Sequence, residues 1–303
     1  MQNQSLYPIS TISELTGIKA MTLRAWERRY ALLNPERTEK GRRLYSKSDL
    51  EKIHAVKILL AAGVPISRAA ETINNGEPVK QEKIESPNNW QQYITAIKKS
   101  IENFDEDELD ATYHEVSSLY PVDMVTEKLI LPLLKLLGED WEKNNIGVAE
   151  EHFFSAYLRN KLGARFHTQN RFTVGDPIIV AGLPGDNHEF GLLLFSLTLL
   201  NSGIKVLLLG PNLPLNDLEA MIHKVHPSTI VLAGSRNMEA EQIAIELKTI
   251  QDRKKIKIFV GGPISVIHYN TFIRNGICPL TGNFIDSVRE IETYQKHAKS
   301  EEN

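Results

Sequence analysis

From Pro177 onward, short and continuously apolar runs alternate with longer helical patterns, and this alternation constrains the fold more than any other feature of the chain. The runs cover 177–183, 205–210, 228–234, 256–261 and 277–281. A strand with one face in water alternates apolar and polar residues, whereas a strand that is apolar throughout must be covered on both faces. Five such strands with crossover helices predict a doubly wound parallel sheet of the flavodoxin-like kind over residues 171–298. Ligands of such sheets bind outside the carboxyl ends of the strands, so function is to be sought in the loops that follow them.

The loop after the first strand reads Leu183-Pro-Gly-Asp186-Asn-His188-Glu-Phe-Gly191, an Asp-x-His-x-x-Gly pattern. An aspartate two residues before a histidine can hydrogen-bond one ring nitrogen and leave the other for a metal. An ordinary surface histidine would fit these positions too, so the pattern needs support from elsewhere. Loops 210–214, 234–237 and 261–263 are rich in small residues that let a ligand approach the backbone. The fold by itself suits flavin binders and phospho-receivers equally. A receiver is disfavoured, because no acidic cluster closes the first strand and no lone aspartate closes the third.

The amino-terminal part has a different character. Residues 1–76 hold 12 Lys and Arg against seven Asp and Glu, about +5 within a chain whose net charge is −3. A basic head on an acidic body points to nucleic acid at the amino end. Ser10 is expected to cap a helix through Leu15, Thr16-Gly17 to turn, and a second helix to run from about Lys19 to Tyr30. Two short helices joined through a glycine form a helix-turn-helix, the second helix entering the major groove. Arg24 and Arg28 are four apart and share a face. Lys40-Gly41 can then turn a hairpin carrying Arg42, Arg43 and Tyr45, a wing suited to phosphate and minor-groove contacts. Helices from Ser48-Asp49 through Ala62 and from Ile66 to Ile73 complete the head. A polar linker follows over 77–89.

Residues 90–170 carry helical spacing and no strand pattern, which predicts a four-helix bundle. Trp90, Ile94, Ile97 and Ile101 make one stripe. Asp105 caps the next helix, and Pro121 opens a third with Val125, Leu129, Leu133 and Leu136. On the fourth, Val148, Glu151, His152 and Ser155 share a face, with Trp141 just ahead. The single cysteine, Cys278, excludes an intrachain disulfide framework and fits a reducing cytoplasm. No secretory leader or membrane span is apparent.

Ile9-Ser-Thr-Ile-Ser-Glu-Leu-Thr-Gly, Thr22-Leu-Arg-Ala-Trp-Glu-Arg and Pro35-x-Arg-x-x-x-Gly-Arg-Arg-x-Tyr45 together resemble the winged helix-turn-helix of MerR-family transcription regulators. The resemblance implies double-stranded DNA as partner. It makes Thr22, Arg24 and Arg28 DNA-binding residues, the two arginines facing the groove. Arg37, Arg42, Arg43 and Tyr45 hold the DNA backbone or the wing. Asp-x-His-x-x-Gly with the Trp141…Glu151-His152 spacing resembles the cobalamin-binding sensors joined to MerR heads, the light-responsive CarH/LitR type. This implies cobalamin, in that type adenosylcobalamin, with His188 on the cobalt, Asp186 behind it and Gly191 closing the motif. Trp141, Val148, Glu151 and His152 would cover the adenosyl group. Gly261-Gly262 would line the slot for the nucleotide tail, with Ser235 offering a hydroxyl from a shifted position. The implied protein is no enzyme but a repressor, a homo-oligomer (dimer or tetramer) that grips its operator in the dark and releases it when light breaks the cobalt–carbon bond. One departure stands out. Members of this type carry a histidine directly after the cap tryptophan, to fill the vacated cobalt position; here that residue is Glu142, which leaves His152 or water for the task. The alternative is a MerR-like regulator that acts without cobalamin or light, through another ligand or a protein partner.

Overall fold

The computed structural model describes residues 6–38, 41–61, 64–76, 89–142, 147–235 and 239–301. Two compact units make up the chain, Met1–Ser155 and Ala156–Asn303.

The first unit opens with β1 (Tyr7–Pro8), α1 (Ile9–Thr16), α2 (Ala20–Tyr30), β2 (Glu36–Arg37), β3 (Arg43–Tyr45), α3 (Lys47–Ala61) and α4 (Ile66–Asn74). Pro8, and not Ser10, stands at the start of α1. Its ring fixes φ for entry into the helix, so Ser10 falls inside the first turn. Gly17, at φ 70°, ends α1 in the left-handed conformation and donates its N–H to the Ser13 carbonyl. Helix α3 begins on a reciprocal pair earlier than Ser48. Ser46 Oγ accepts from the Asp49 N–H at 3.2 Å, and the Asp49 carboxylate accepts from the Ser46 N–H at 2.9 Å. The strands pair antiparallel in the order β1-β3-β2. Thr38 N–H to Arg42 O and Gly41 N–H to Thr38 O, 2.9 and 2.8 Å, narrow the hairpin; Lys40, its expected turn partner, lies outside the described residues.

Next come α5 (Asn89–Glu102), α6 (Glu106–Leu119), α7 (Val122–Val125), a π-type turn over Thr126–Ile130, α8 (Leu131–Glu142) and α9 (Val148–Asn170). Trp90, Ile94, Ile97 and Ile101 are all buried, as their spacing predicts. Asp105 caps α6 by accepting the Glu108 N–H at 3.0 Å. Beyond the π-type turn, Leu133 is buried as predicted, and the next buried position is Leu137, four residues on, instead of Leu136. Helix α2 packs on α6, where the Trp26 Nε1–H donates to the Leu119 carbonyl at 2.8 Å in a buried contact.

The second unit holds β4 (Ile178–Gly182), α10 (Glu189–Asn201), β5 (Val206–Gly210), α11 (Leu215–Val225), β6 (Thr229–Ala233), α12 (Ala240–Lys254), β7 (Ile258–Gly261), α13 (Pro263–Ile267), α14 (Tyr269–Arg274), β8 (Cys278–Pro279) and α15 (Phe284–Glu301). All five strands are parallel, in the order β5-β4-β6-β7-β8. Every residue of β4 and β7 is buried, which is why these strands read as unbroken apolar runs. The chain adds β5 on one side of β4 and β6 on the other. The strand order therefore reverses between β4 and β6, and the crevice at such a switch point is where this architecture takes ligands. No helix among the described residues is long and apolar enough to cross a membrane.

Candidate functional site

The carboxyl ends of the strands are tied together by backbone hydrogen bonds. Leu183 N–H donates to Ala233 O at 2.8 Å, Leu213 N–H to Gly182 O at 3.0 Å, and Leu280 N–H to Val260 O at 2.7 Å. On this frame the loop after β4 carries His188, which stands at the amino end of α10. Its Nδ1 lies 2.6 Å from Asp186 Oδ1, and the same oxygen accepts the His188 backbone N–H at 2.9 Å. The Asp186 side chain is 5% exposed and the His188 side chain 81%. A buried carboxylate needs donors, and here both come from one residue. A carboxylate can only accept, so Nδ1 carries the proton. Nε2 is then the nitrogen with a lone pair to give to a metal. The next residue, Glu189, is gripped by the Arg159 guanidinium through Nε, at 2.7 Å, and Nη2, which fixes the first turn of α10.

At the switch point lies a cavity of about 100 Å³, lined by Val180, Gly191, Phe195, Gly261, Gly262 and Ser287 among others. Gly191, Gly261 and Gly262 are thus brought to one wall. A Cβ on Gly191 or Gly261 would meet no atom within 4 Å, so these glycines leave space, whereas Gly262 already touches Gly234. The site thus offers an exposed imidazole nitrogen for a metal and, on the same loop-to-helix segment, the glycine of an apolar slot. Ser235 is half-buried and is not part of this wall; the hydroxyl in it is that of Ser287. Phe195, Phe284 and Ser287 escaped the sequence reading. The i, i+3 spacing of Phe284 and Ser287 at the start of the last helix was the available signal.

In the first unit, the opening turns of α9 carry Val148, Glu151 and His152. Val148 is exposed, Glu151 Oε2 is 2.7 Å from His152 Nδ1, and Glu151 Oε1 accepts from Ser155 Oγ at 2.6 Å. An exposed valine beside a carboxylate and an imidazole offers an apolar contact and acceptors for hydroxyl groups. Trp141 and Glu142 fall in the last turn of α8, but their side chains lie outside the described residues.

The head presents Arg24 and Arg28 exposed on α2, with Arg37 and Arg42 exposed on the hairpin. Three other residues expected at the DNA or the wing are held within the head itself. Thr22 is buried, packed into the head's own core. Arg43 Nε is 2.7 Å from Glu27 Oε2, an ion pair that ties the hairpin to α2 and leaves its charge largely spent. Tyr45 is fully buried, and burial pushes its phenol up to about 12. Its hydroxyl has no hydrogen-bond partner among the described residues. Tyr45→Phe is therefore expected to leave DNA affinity unchanged and to hold or raise stability by up to ~1 kcal/mol, since it removes an unpaired buried group. A tenfold loss in a DNA retardation assay would instead put that hydroxyl on the DNA.

The MerR HTH regulatory protein family model matches residues 7–75. An uncharacterized HTH-type transcriptional regulator of Bacillus subtilis (strain 168), YyaN, is 34% identical over 97 residues, 32% of this chain and 69% of that protein. The chain belongs to the MerR family of transcription regulators. The MerR head is joined to a B12 binding domain, whose family model matches residues 93–165, the helical part of the chain. The HTH-type transcriptional repressor CarH of Myxococcus xanthus is 29% identical over 276 residues, 86% of this chain and 90% of the relative. A monomethylamine corrinoid protein from Methanosarcina barkeri superposes with a TM-score of 0.50 at 16% identity, over 66% of this chain and 97% of that one. The likeness is one of fold. It agrees with the flavodoxin-like strand order, and the family assignment makes the chain a DNA-binding regulator and not an enzyme.

Proposed function

We propose that this MerR-family protein is a light-responsive repressor that holds adenosylcobalamin through His188. The observation that carries the reading is the buried Asp186 locking an exposed His188 at the switch point, beside a slot walled by Gly191, Gly261 and Gly262. Asp186 fixes the imidazole so that Nε2 can take cobalt, and the glycines leave room for the nucleotide tail. By the family resemblance, Val148, Glu151 and His152, with Trp141, would be the residues for the adenosyl group, and the Glu151 carboxylate could accept from its ribose hydroxyls. When bound, adenosylcobalamin supplies a cobalt–carbon bond that visible light breaks. Arg24 and Arg28 enter the major groove, and Arg37 and Arg42 hold the DNA backbone. The protein acts as a homo-oligomer in the cytoplasm. Several heads on repeated half-sites then turn a modest change in assembly into a large change in DNA grip.

The test uses full-length protein loaded with adenosylcobalamin in darkness. The expected result is a red cobalt spectrum, retarded operator DNA in the dark, and release on illumination. Asp186→Ala is expected to weaken cobalamin binding roughly 10–100-fold, the usual cost of losing a ligand's hydrogen-bond partner, and His188→Ala by at least as much. Unchanged affinity and spectrum in His188→Ala would remove that residue from the cobalt. Dark DNA binding indifferent to cobalamin would favour a regulator that works through another ligand or a protein partner.

A further inference from the structure

A second cavity, of about 590 Å³, opens at the opposite end of the sheet, where the strands begin. Lys205 precedes β5, Lys257 precedes β7, Lys254 and Lys255 follow one another at the end of α12, and His226 ends α11; all five line it. Asp176 is the one acid in the described wall. Helices α10, α11 and α12 end on this side, and lysines at helix carboxyl ends commonly offset the partial negative charge there. That account covers Lys254, which also reaches Glu219 at 3.7 Å and His223 at 2.6 Å. It covers Lys255 too, whose left-handed backbone closes α12. It does not cover Lys205 and Lys257. Both stand on the approaches to strands, both are half-buried, and neither has an acidic partner among the described residues. The Lys257 ammonium lies 5.8 Å from the centre of the Tyr294 ring. Gly175 and Gly203, at φ 98° and 80°, have open space where a side chain would stand, so the backbone can be approached there.

We infer that this cleft binds a nucleoside di- or triphosphate. Lys205 and Lys257, with Lys255, take the phosphates as charge-assisted donors. The partly exposed Tyr294 ring offers a flat surface beside them. Gln295, whose Nε2 donates to Ser228 Oγ at 3.0 Å, brings polar groups to the same wall. The volume suits a ligand of this size. The inference is independent of cobalamin and of light, since every residue in it lies at the other end of the sheet.

Isothermal titration of the full-length protein with ATP and with inorganic tripolyphosphate tests it. Saturable one-to-one binding is expected for both, tighter for ATP, and weakening as salt rises. Lys205→Met/Lys257→Met should lower affinity roughly tenfold per lysine with an unchanged melting temperature. Lys205→Arg/Lys257→Arg should retain binding. Arg24→Ala on the head should leave it unaffected, which separates the cleft from the DNA surface. Tripolyphosphate binding as tightly as ATP would strike out the nucleoside. No saturable binding, or a double methionine variant that binds like the wild type, would overturn the site; a lowered melting temperature with undiminished affinity would make the lysines dipole partners only.

Discussion

Gly262→Ala is expected to destabilise the second unit by about 3–5 kcal/mol and to abolish cobalamin uptake, while Gly261→Leu leaves stability within about 1 kcal/mol and abolishes uptake alone. The two glycines are neighbours in sequence and opposite in physics. Gly262 sits at φ 80° and ψ −176°, a region closed to residues with a side chain. An added Cβ would also stand 2.7 Å from the Gly234 carbonyl oxygen and 3.2 Å from its nitrogen. Gly234 cannot retreat, because its N–H donates to Gly261 O and its carbonyl accepts from Ile264 N–H, both at 3.2 Å. Strain and collision therefore add. Gly261 ends β7 with nothing within 4 Å of its would-be Cβ, so a side chain there starts into open space and toward the 100 Å³ cavity that Gly261 lines. Urea unfolding followed by signals from the second unit gives the stability difference, and spectral titration with cobalamin gives the binding. If Gly261→Leu takes up cobalamin as the wild type does, the cavity is not the nucleotide slot, and the proposed function loses its second support.

The ends of the chemistry were legible in the sequence to different degrees, for reasons that lie in what each interaction is made of. Strands buried on both faces leave continuous apolar runs, so all five were expected at nearly their observed bounds. The loops after them followed from chain direction, while Asp186, His188 and Gly191 were singled out by their pattern and Gly261 by the family resemblance. Residue types carry the signal there: an aspartate two before a histidine, or paired glycines, has few substitutes. The placement of Thr22, Arg43 and Tyr45 was not legible in this way. Their types suit DNA, but side-chain direction is set by packing against the partner element. Arg43 turned to Glu27, and Tyr45 went into the core. Ser287 was missed because a serine on a terminal helix has many ordinary uses. The contact of Trp26 with Leu119 had no signature at all. It spans 93 residues, and its acceptor is a backbone carbonyl, which every residue possesses.

That contact carries the other large effect. Trp26 is fully buried on the helix that presents Arg24 and Arg28, and its indole N–H caps a carbonyl in the last turn of α6. The last four carbonyls of a helix lack intrahelical donors, so the indole supplies one from outside the bundle. Trp26→Phe keeps most of the ring and removes only the donor. It is expected to cost about 1–3 kcal/mol in the first unit, the penalty of leaving a buried carbonyl unpaired. Trp26→Ala adds a cavity and is expected to cost about 3–5 kcal/mol. The neighbouring pair, Arg29 and Glu115 at 4.0 Å, is roughly half exposed on both sides, so Glu115→Ala should be nearly silent. Unfolding followed in the first unit checks all three variants. A Trp26→Phe midpoint equal to that of the wild type would mean that the carbonyl finds water and that α2 rests on α6 without being fastened to it. A lowered midpoint in Trp26→Phe, with Glu115→Ala silent, would make one buried hydrogen bond the fastening between α2, the helix that carries Arg24 and Arg28, and the bundle. A change in the bundle could then reach Arg24 and Arg28 through the rigid body of α2, with no need of a signal passed along the chain.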